Sequence, residues 1–215
     1  MKFKGAVFDM DGLMIDTEKL LMRFWIEAAN FYGFDMKPEH VLSIRSLAGD
    51  LTEIKLKGIF GESFCYRDVR LKRIELMNSY IEKNGIEKKK GLDQLLSFLK
   101  ENGFKIAVAT ATDYERTSRY LKSLNIFDNF DRIICASMVE HGKPAPDIYL
   151  KAANELDLLP QECIALEDSP NGILSAYRAG LSPIMIPDLS EPDEETSKLL
   201  YARAESLDKV IELMI

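Results

Sequence analysis

Residues 5–18, GAVFDMDGLMIDTE, constrain this chain more than any other stretch. An apolar run, Ala6-Val7-Phe8, stops at Asp9, and a second carboxylate, Asp11, follows before Gly12. Short apolar runs bounded by turn residues form buried strands. Unpaired charge in an apolar interior is very costly, so a buried strand cannot carry two carboxylates in its middle. The strand therefore ends here, at the mouth of a sheet, where ligands collect in open α/β proteins. The two acids must then hold something positive, do chemistry, or both. A lone D-x-D is most often a solvated acidic loop, so the rest of the chain has to decide.

Helical periodicity begins after Gly12, whose lack of a side chain permits a turn that other residues resist. Leu20, Leu21, Phe24, Trp25, Ala28 and Ala29 recur at helical spacing until Gly33. Pro38 opens a second segment that runs through Leu47, and a third runs from about Leu51 to Ile59. A longer helix presents Leu71, Ile74, Met77 and Ile81 on one face and closes at Asn84-Gly85. Nothing between residues 16 and 88 reads as a strand. The charge run from Glu87 to Lys90, before Gly91, reads as a solvated linker.

Beyond the linker, strands and helices alternate. Strands are expected at Lys105–Ala109, Arg132–Ala136, Cys163–Leu166 and Pro183–Ile186. Helices are expected at Leu92–Asn102, Tyr114–Leu124, from Pro146 through Leu156, and at Asn171–Ala179. The Tyr114 helix should be capped by Thr112 or Asp113. The acidic segment Glu191–Glu195 reads as a surface loop, and Ser206–Met214 as a last helix presenting Leu207, Val210, Ile211 and Met214. Alternation of this kind predicts an α/β fold, a Rossmann-like parallel sheet covered on both faces. Residues 1–15 and 89–215 would form that core, with 16–88 inserted as a helical cap above the carboxyl ends of the strands.

Composition excludes several classes. A formal charge of −7 and a pI near 5.1 argue against general nucleic-acid binding. A small anionic substrate would need a local metal or lysine to offset that surplus of acid. Cys65, Cys135 and Cys163 form no C-x-x-C pair, and Cys135 and Cys163 sit in apolar runs, so no disulfide framework is expected. The opening residues hold too short an apolar run for a signal peptide, and no 18-residue apolar span occurs. The expectation is a cytoplasmic protein without membrane partners, monomeric or weakly dimeric.

Polar groups of complementary kinds stand at four strand ends. The first strand ends in Asp9 and Asp11, the next in Thr110, the loop after the third brings Lys143, and the fourth ends in Glu167-Asp168. Singly, Thr110 would be a helix cap, Lys143 a surface lysine, and Glu167-Asp168-Ser169 an acidic turn favoured by the following helix dipole. In a parallel sheet, however, these ends share one rim.

With those residues in place, the chain resembles the haloacid dehalogenase-like superfamily of hydrolases, in the subgroup of β-phosphoglucomutase and many small-molecule phosphatases. The resemblance rests on DMDGLMIDTE at 9–18, Thr110 at a strand end, Lys143 in GKPAPD, and EDSPNG at 167–172. It implies a Mg²⁺-dependent phosphatase acting on a small phosphorylated metabolite, a sugar or polyol phosphate. Asp9 would be the nucleophile and Asp11 the general acid and base. Asp9, the Asp11 carbonyl, Glu167 and Asp168 would hold Mg²⁺, while Thr110, the amides that follow it from Ala111 onward, and Lys143 would bind the phosphoryl oxygens. Arg23, Arg45, Lys55 and Arg73 are candidates for a second anionic contact from the cap, although any one of them is more ordinarily a solvated surface residue.

Two departures matter. Ala111 stands where the family often has Asn, as in the phosphoglucomutase-like branch. Leu21 stands about where β-phosphoglucomutase-like enzymes carry a histidine, which disfavours a sugar phosphomutase, the alternative reading. A phosphonatase would need a Schiff-base lysine such as Lys55 or Lys57. A receiver domain, which also uses Asp, Thr and Lys, has no inserted cap.

Overall fold

The computed structural model describes residues 2–45, 47–189 and 191–214. Strand β1 (Gly5–Phe8) is buried at all four positions. Four helices follow: α1 (Glu18–Phe31), α2 (Pro38–Leu42), α3 (Gly49–Phe60) and α4 (Tyr66–Asn84). The chain then alternates through α5 (Leu92–Glu101), β2 (Lys105–Thr110), α6 (Tyr114–Ser123), β3 (Arg132–Cys135), α7 (Asp147–Glu155), β4 (Cys163–Glu167), α8 (Pro170–Arg178) and β5 (Ser182–Met185). It closes with α9 (Glu194–Ser197), β6 (Ala202–Arg203) and a 3₁₀ turn at Leu207–Leu213.

The six strands are all parallel, in the order β3-β2-β1-β4-β5-β6, a Rossmann-like sheet. The strand order reverses direction at β1, where Val7 lies level with Ala107 on one side and Ala165 on the other. Parallel strands buried on both faces need apolar residues at every position, and period-two alternation sends those residues to different layers. Phe8, Ile106, Val108, Ile164 and Leu166 face α5, α6 and the C-terminal turn. Val7, Ala107, Ala109 and Ala165 face α7 and α8, which answer with Ala152, Ala153 and Ala176. One layer is thick and one thin. The helical block between α1 and α4 has its own core of Trp25, Ala28, Met36, Leu56, Phe64 and Val69.

Several expectations need correction. The buried stripe of α4 is Val69, Arg73 and Met77, whereas Leu71 is 52% exposed. Leu71 lies two residues from Val69, roughly the opposite side of a 3.6-residue turn. The charge run links α4 to α5 with Glu87 and Lys90 exposed, as a solvated linker should, but it is not free of the fold. Asp16 N donates to Glu87 O, Lys89 N donates to Met14 O, and Lys89 Nζ reaches Asp188 Oδ1 at 2.7 Å. It is laced to the loop after β1. The second helical segment ends at Leu42, and the expected stretch through Leu47 includes Ser46, outside the described residues. The acidic loop holds α9, the last helix is 3₁₀, and β6 was not anticipated. Asp113, rather than Thr112, caps α6 by accepting from Arg116 N at 2.9 Å. None of the described helices is long and apolar enough to cross a membrane.

Gly91, which precedes α5, has φ +87°, and a Cβ there would lie 2.2 Å from the Asp208 backbone nitrogen. Gly33 has φ +83° with nothing within 4 Å of its Cβ position. Gly33→Ala should therefore cost only backbone strain, about 1 kcal/mol. Gly91→Ala should cost at least about 2 kcal/mol more, a further fall in Tm of about 4–8 °C in thermal melts.

Candidate active site

The loop after β1 sets the site. Asp9 N donates to Leu166 O at 3.0 Å, so the first carboxylate is tied to the strand beside it. Gly12, at φ +84°, turns the chain back, and Gly12 N bonds Ile15 O at 3.0 Å. A Cβ on Gly12 would fall 2.2 Å from Asp168 Oδ2 and 2.5 Å from Glu18 Cγ. Glycine thus serves twice here, for its φ and for the close approach of two carboxylates.

Lys143 arrives from the loop after β3 and is 2% exposed. Its Nζ donates to Asp9 Oδ1 at 2.5 Å, to Glu167 Oε1 at 2.6 Å and to Ala109 O at 3.0 Å. All three of its N–H groups are used. Burial opposes the ammonium, but Asp9 and Glu167 outweigh it and hold its pKa above the ordinary lysine value. Burial pushes the Asp9 carboxyl well above its usual range; Lys143 counters part of this, and Glu167 and Asp168 add to it.

Glu167 is fully engaged. Oε1 accepts from Lys143 and from Tyr149 Oη at 2.7 Å; Oε2 accepts from Asp168 N, Ser169 N and Ser169 Oγ at 3.2 to 3.4 Å. Gly172 in α8 permits this, since a Cβ there would meet the Glu167 carboxyl at 1.9 Å. Asp168 is fully buried, and its Oδ2 pairs with Arg45 Nη2 from the helical block. The Arg45 Nε lies 3.0 Å from Glu18 Oε2. Asp168 Oδ1 has no hydrogen-bond partner among the described residues. Burial, Glu18 and Glu167 raise the Asp168 pKa well above the usual carboxylate range, against Arg45.

Oxygens of Asp9, Glu167 and Asp168 lie within 4.8 Å of one another. Four buried carboxylates here (Asp9, Glu18, Glu167 and Asp168) meet two buried cations, Lys143 and Arg45. A formal excess of two negative charges, which a bound cation would hold ionised against burial, all-oxygen donors and an orphaned Asp168 oxygen fit a divalent hard cation. Asp9 and Asp168 have lone pairs to give it. Glu167, with five donors on its carboxylate, would contribute charge or act through water.

Asp11 belongs to a different setting. Its two oxygens accept from Thr17 Oγ1 and Thr112 Oγ1, each at 2.7 Å, and its carboxylate lies outside the acidic cluster. Thr110, 1% exposed, accepts from Thr112 N at 3.1 Å, and among the described residues its hydroxyl proton has no acceptor, which leaves it for a ligand. Asp9, Asp11, Thr110, Ala111 and Thr112 line a cavity of about 160 Å³. Leu21, Trp25, Tyr66, Arg70 and Arg73 of the helical block line it as well.

Asp9, Asp11, Thr110, Ala111, Lys143, Glu167 and Asp168 are thus brought together. Of the four candidates for a second anionic contact, Arg45 and Arg73 are buried rather than solvated. Arg23 is exposed and pairs with Glu27 at 3.8 Å, and Lys55 is exposed and donates to Ser43 O at 2.8 Å. Neither lines the cavity, nor does Lys57, which pairs with Glu53 at 2.8 Å. Sequence reasoning missed the roles of Thr17, Glu18, Thr112 and Tyr149. Tyr149 lay on a predicted apolar face, and its hydroxyl was the only hint.

Comparison with known proteins follows the same lines. The model of the haloacid dehalogenase-like hydrolase family matches residues 6–186. Hexitol phosphatase A of Escherichia coli (strain K12) is 32% identical, covering 90% of each chain. The phosphorylated carbohydrates phosphatase of Thermotoga maritima is 29% identical over 84% of this chain and 83% of its own. The crystal structure of CbbY from Rhodobacter sphaeroides in complex with phosphate superimposes with TM-score 0.80 and 26% identity, covering 97% of this chain and 96% of the other.

Burial raises the Glu18 carboxyl from 4.5 to about 7, in spite of Arg45. A raised folded pKa means stability that is present below 4.5 and lost as pH rises through about 7. With a chelator present, urea melts should show stability falling over that window, and Glu18→Gln should remove about 3 kcal/mol of the fall. An unchanged slope in Glu18→Gln would assign the pH dependence elsewhere.

Proposed function

Because this chain belongs to the haloacid dehalogenase-like hydrolase family, we propose that it is a Mg²⁺-dependent phosphatase acting on a small phosphorylated metabolite, a sugar or polyol phosphate, through a phosphoaspartate on Asp9. The observation that carries the reading is Lys143 Nζ at 2.5 Å from Asp9 Oδ1, beside an acidic cluster with an orphaned oxygen.

The chemistry follows from the residues. Asp9 Oδ2, which has no hydrogen-bond partner among the described residues, attacks phosphorus, and the bond to the substrate oxygen breaks. The Thr110 hydroxyl and the Ala111 amide hold the phosphoryl oxygens, and Lys143 offsets their charge. Asp11 gives its proton to the departing alcohol. It then takes one from the water that cleaves the phosphoaspartate, which frees phosphate and restores Asp9. Asp11 can serve in both directions because Thr17 and Thr112 hold it apart from the acidic cluster. Asp9, Asp168 and the Asp11 carbonyl would hold Mg²⁺, with Glu167 behind them. When bound, the ion supplies the positive charge that lets a dianionic phosphate approach a carboxylate.

The helical block acts in this reading as a cap that excludes water and selects the leaving group. An apolar Leu21 on the cavity wall favours hydrolysis over phosphomutase chemistry, for it offers no proton relay from the cap. The buried free thiols of Cys135 and Cys163 suit a reducing cytosol.

Phosphate release from a panel of sugar and polyol phosphates should require Mg²⁺ and stop with chelator. Asp9→Asn should lower kcat by about 10³-fold or more, and Asp11→Asn by about 10²- to 10⁴-fold. Full activity in Asp9→Asn would defeat the proposed mechanism.

A further inference from the structure

Tyr149 of α7 is 0% exposed and lies in the apolar layer that holds Val7, Ala109, Ala152 and Ala165. A phenylalanine would fill that place equally well, and a buried hydroxyl is costly unless it is bonded. The hydroxyl is bonded to one atom of the active site: Oη donates to Glu167 Oε1 at 2.7 Å. The same oxygen accepts from Lys143 Nζ at 2.6 Å, and that ammonium also donates to Asp9 Oδ1 at 2.5 Å. The ammonium lies 5.2 Å from the centre of the Tyr149 ring as well.

Lys143 thus stands between two carboxylates that compete for it. Asp9, as nucleophile, needs the cation beside it when phosphorus approaches. Glu167 draws the cation towards the neighbouring strand, and a carboxylate oxygen with no other donor draws hardest. On Oε2 the charge of Glu167 is answered by Asp168 N, Ser169 N and Ser169 Oγ. On Oε1, Tyr149 is the one donor besides the lysine among the described residues. Burial, with Glu167 and Asp9 nearby, holds the phenol pKa well above its ordinary value, so Oη keeps its proton and stays a donor.

We propose that Tyr149 is a positioning residue for phosphoryl transfer: its hydroxyl occupies Glu167 Oε1, so that Lys143 stays divided between Glu167 and Asp9 instead of closing on Glu167. This deepens the phosphatase reading and rests on it. Tyr149 acts only through Lys143. Without the hydroxyl, Glu167 Oε1 keeps the lysine as its sole donor, and the ammonium shifts away from Asp9. Positive charge is then displaced from the place where the transferring oxygens are held, and that loss is felt most in the transition state.

Tyr149→Phe keeps the ring over Lys143 and removes the hydroxyl alone. In the full chain at saturating Mg²⁺, kcat on phosphomonoesters should fall about 10- to 100-fold with KM within about threefold. Orthovanadate, which imitates the five-coordinate phosphoryl group, should lose affinity by a similar factor, while inorganic phosphate loses less than about threefold. The Lys143 ammonium resonance in ¹H–¹⁵N spectra, assigned by its loss in Lys143→Arg, should move. Tm should fall by no more than about 8 °C. An unchanged kcat, an equal loss for vanadate and phosphate, or an ammonium resonance that stays in place overturns the proposal. Should Tyr149→Phe fail to fold, fluorotyrosine at position 149, a stronger donor of nearly the same size, must move that resonance. If wild type hydrolyses no phosphomonoester, the phosphatase reading fails, and the vanadate affinities and the resonance still decide whether Tyr149 holds Lys143 in place.

Discussion

The ammonium of Lys143 is the contact on which the rest of the site depends. It bonds Asp9 and Glu167, which belong to neighbouring strands, and the main chain of Ala109 on a third. Three strand ends are thereby pinned by one buried charge. The arrangement is stable only as a set. Take away the cation and two carboxylates remain in an apolar interior; take away either carboxylate and the lysine loses the partner that outweighs its burial. The parallel sheet makes the set possible, because β1 lies at the point where the strand order reverses and the flanking loops part.

The helical block is joined to this rim through Arg45, through Ala48 N, which donates to Lys143 O at 3.0 Å, through Asn171 Nδ2, which donates to Arg45 O at 2.8 Å, and through the returning chain. Arg45 reaches Asp168 and Glu18 as a buried ion pair, so the position of the block and the charge of the acidic cluster are linked. Residues 87–90, on the return from the block, lace back onto the turn after β1 through Lys89 N with Met14 O and Glu87 O with Asp16 N, and Lys89 Nζ ties them to Asp188 in the loop after β5. Both crossings of the chain between block and sheet therefore lie next to the carboxylates. A movement of the block would be felt there before anywhere else.

Much of this was legible in the sequence, and the reason is local. Asp9, Thr110, Lys143, Glu167 and Asp168 each stand where an apolar run stops, and parallel topology alone carries them to a common edge. Arg45 was legible only as a candidate, since its partner Asp168 lies 123 residues away and no periodicity links them. Tyr149 was hidden because a tyrosine on an apolar stripe looks like core until its hydroxyl is placed. The stripe of α4 was misread at Leu71, which is apolar yet exposed, while Arg73 is turned inward over Trp25; Met77 is buried and Ile81 packs against the core as expected. The two residues of β6 are too few to leave a pattern. Sequence reasoning fails in these places because the deciding contact is tertiary and polar.

The thin layer between the sheet and α7 has a mechanical meaning. Val7, Ala107, Ala109 and Ala165 meet Ala152 and Ala153, so the strands and the helix touch through small side chains there, flanked by Ile148, Tyr149 and Leu156. Lys143 leads directly into that helix, and Tyr149 within it touches Glu167. Side-chain bulk in this layer therefore acts as a spacer. A larger residue at Ala107 or Ala165 would lift α7 like a shim under a beam, and the ammonium would drift from its carboxylates although no charged group had been altered. The seat of the helix is gauged here by the width of alanine.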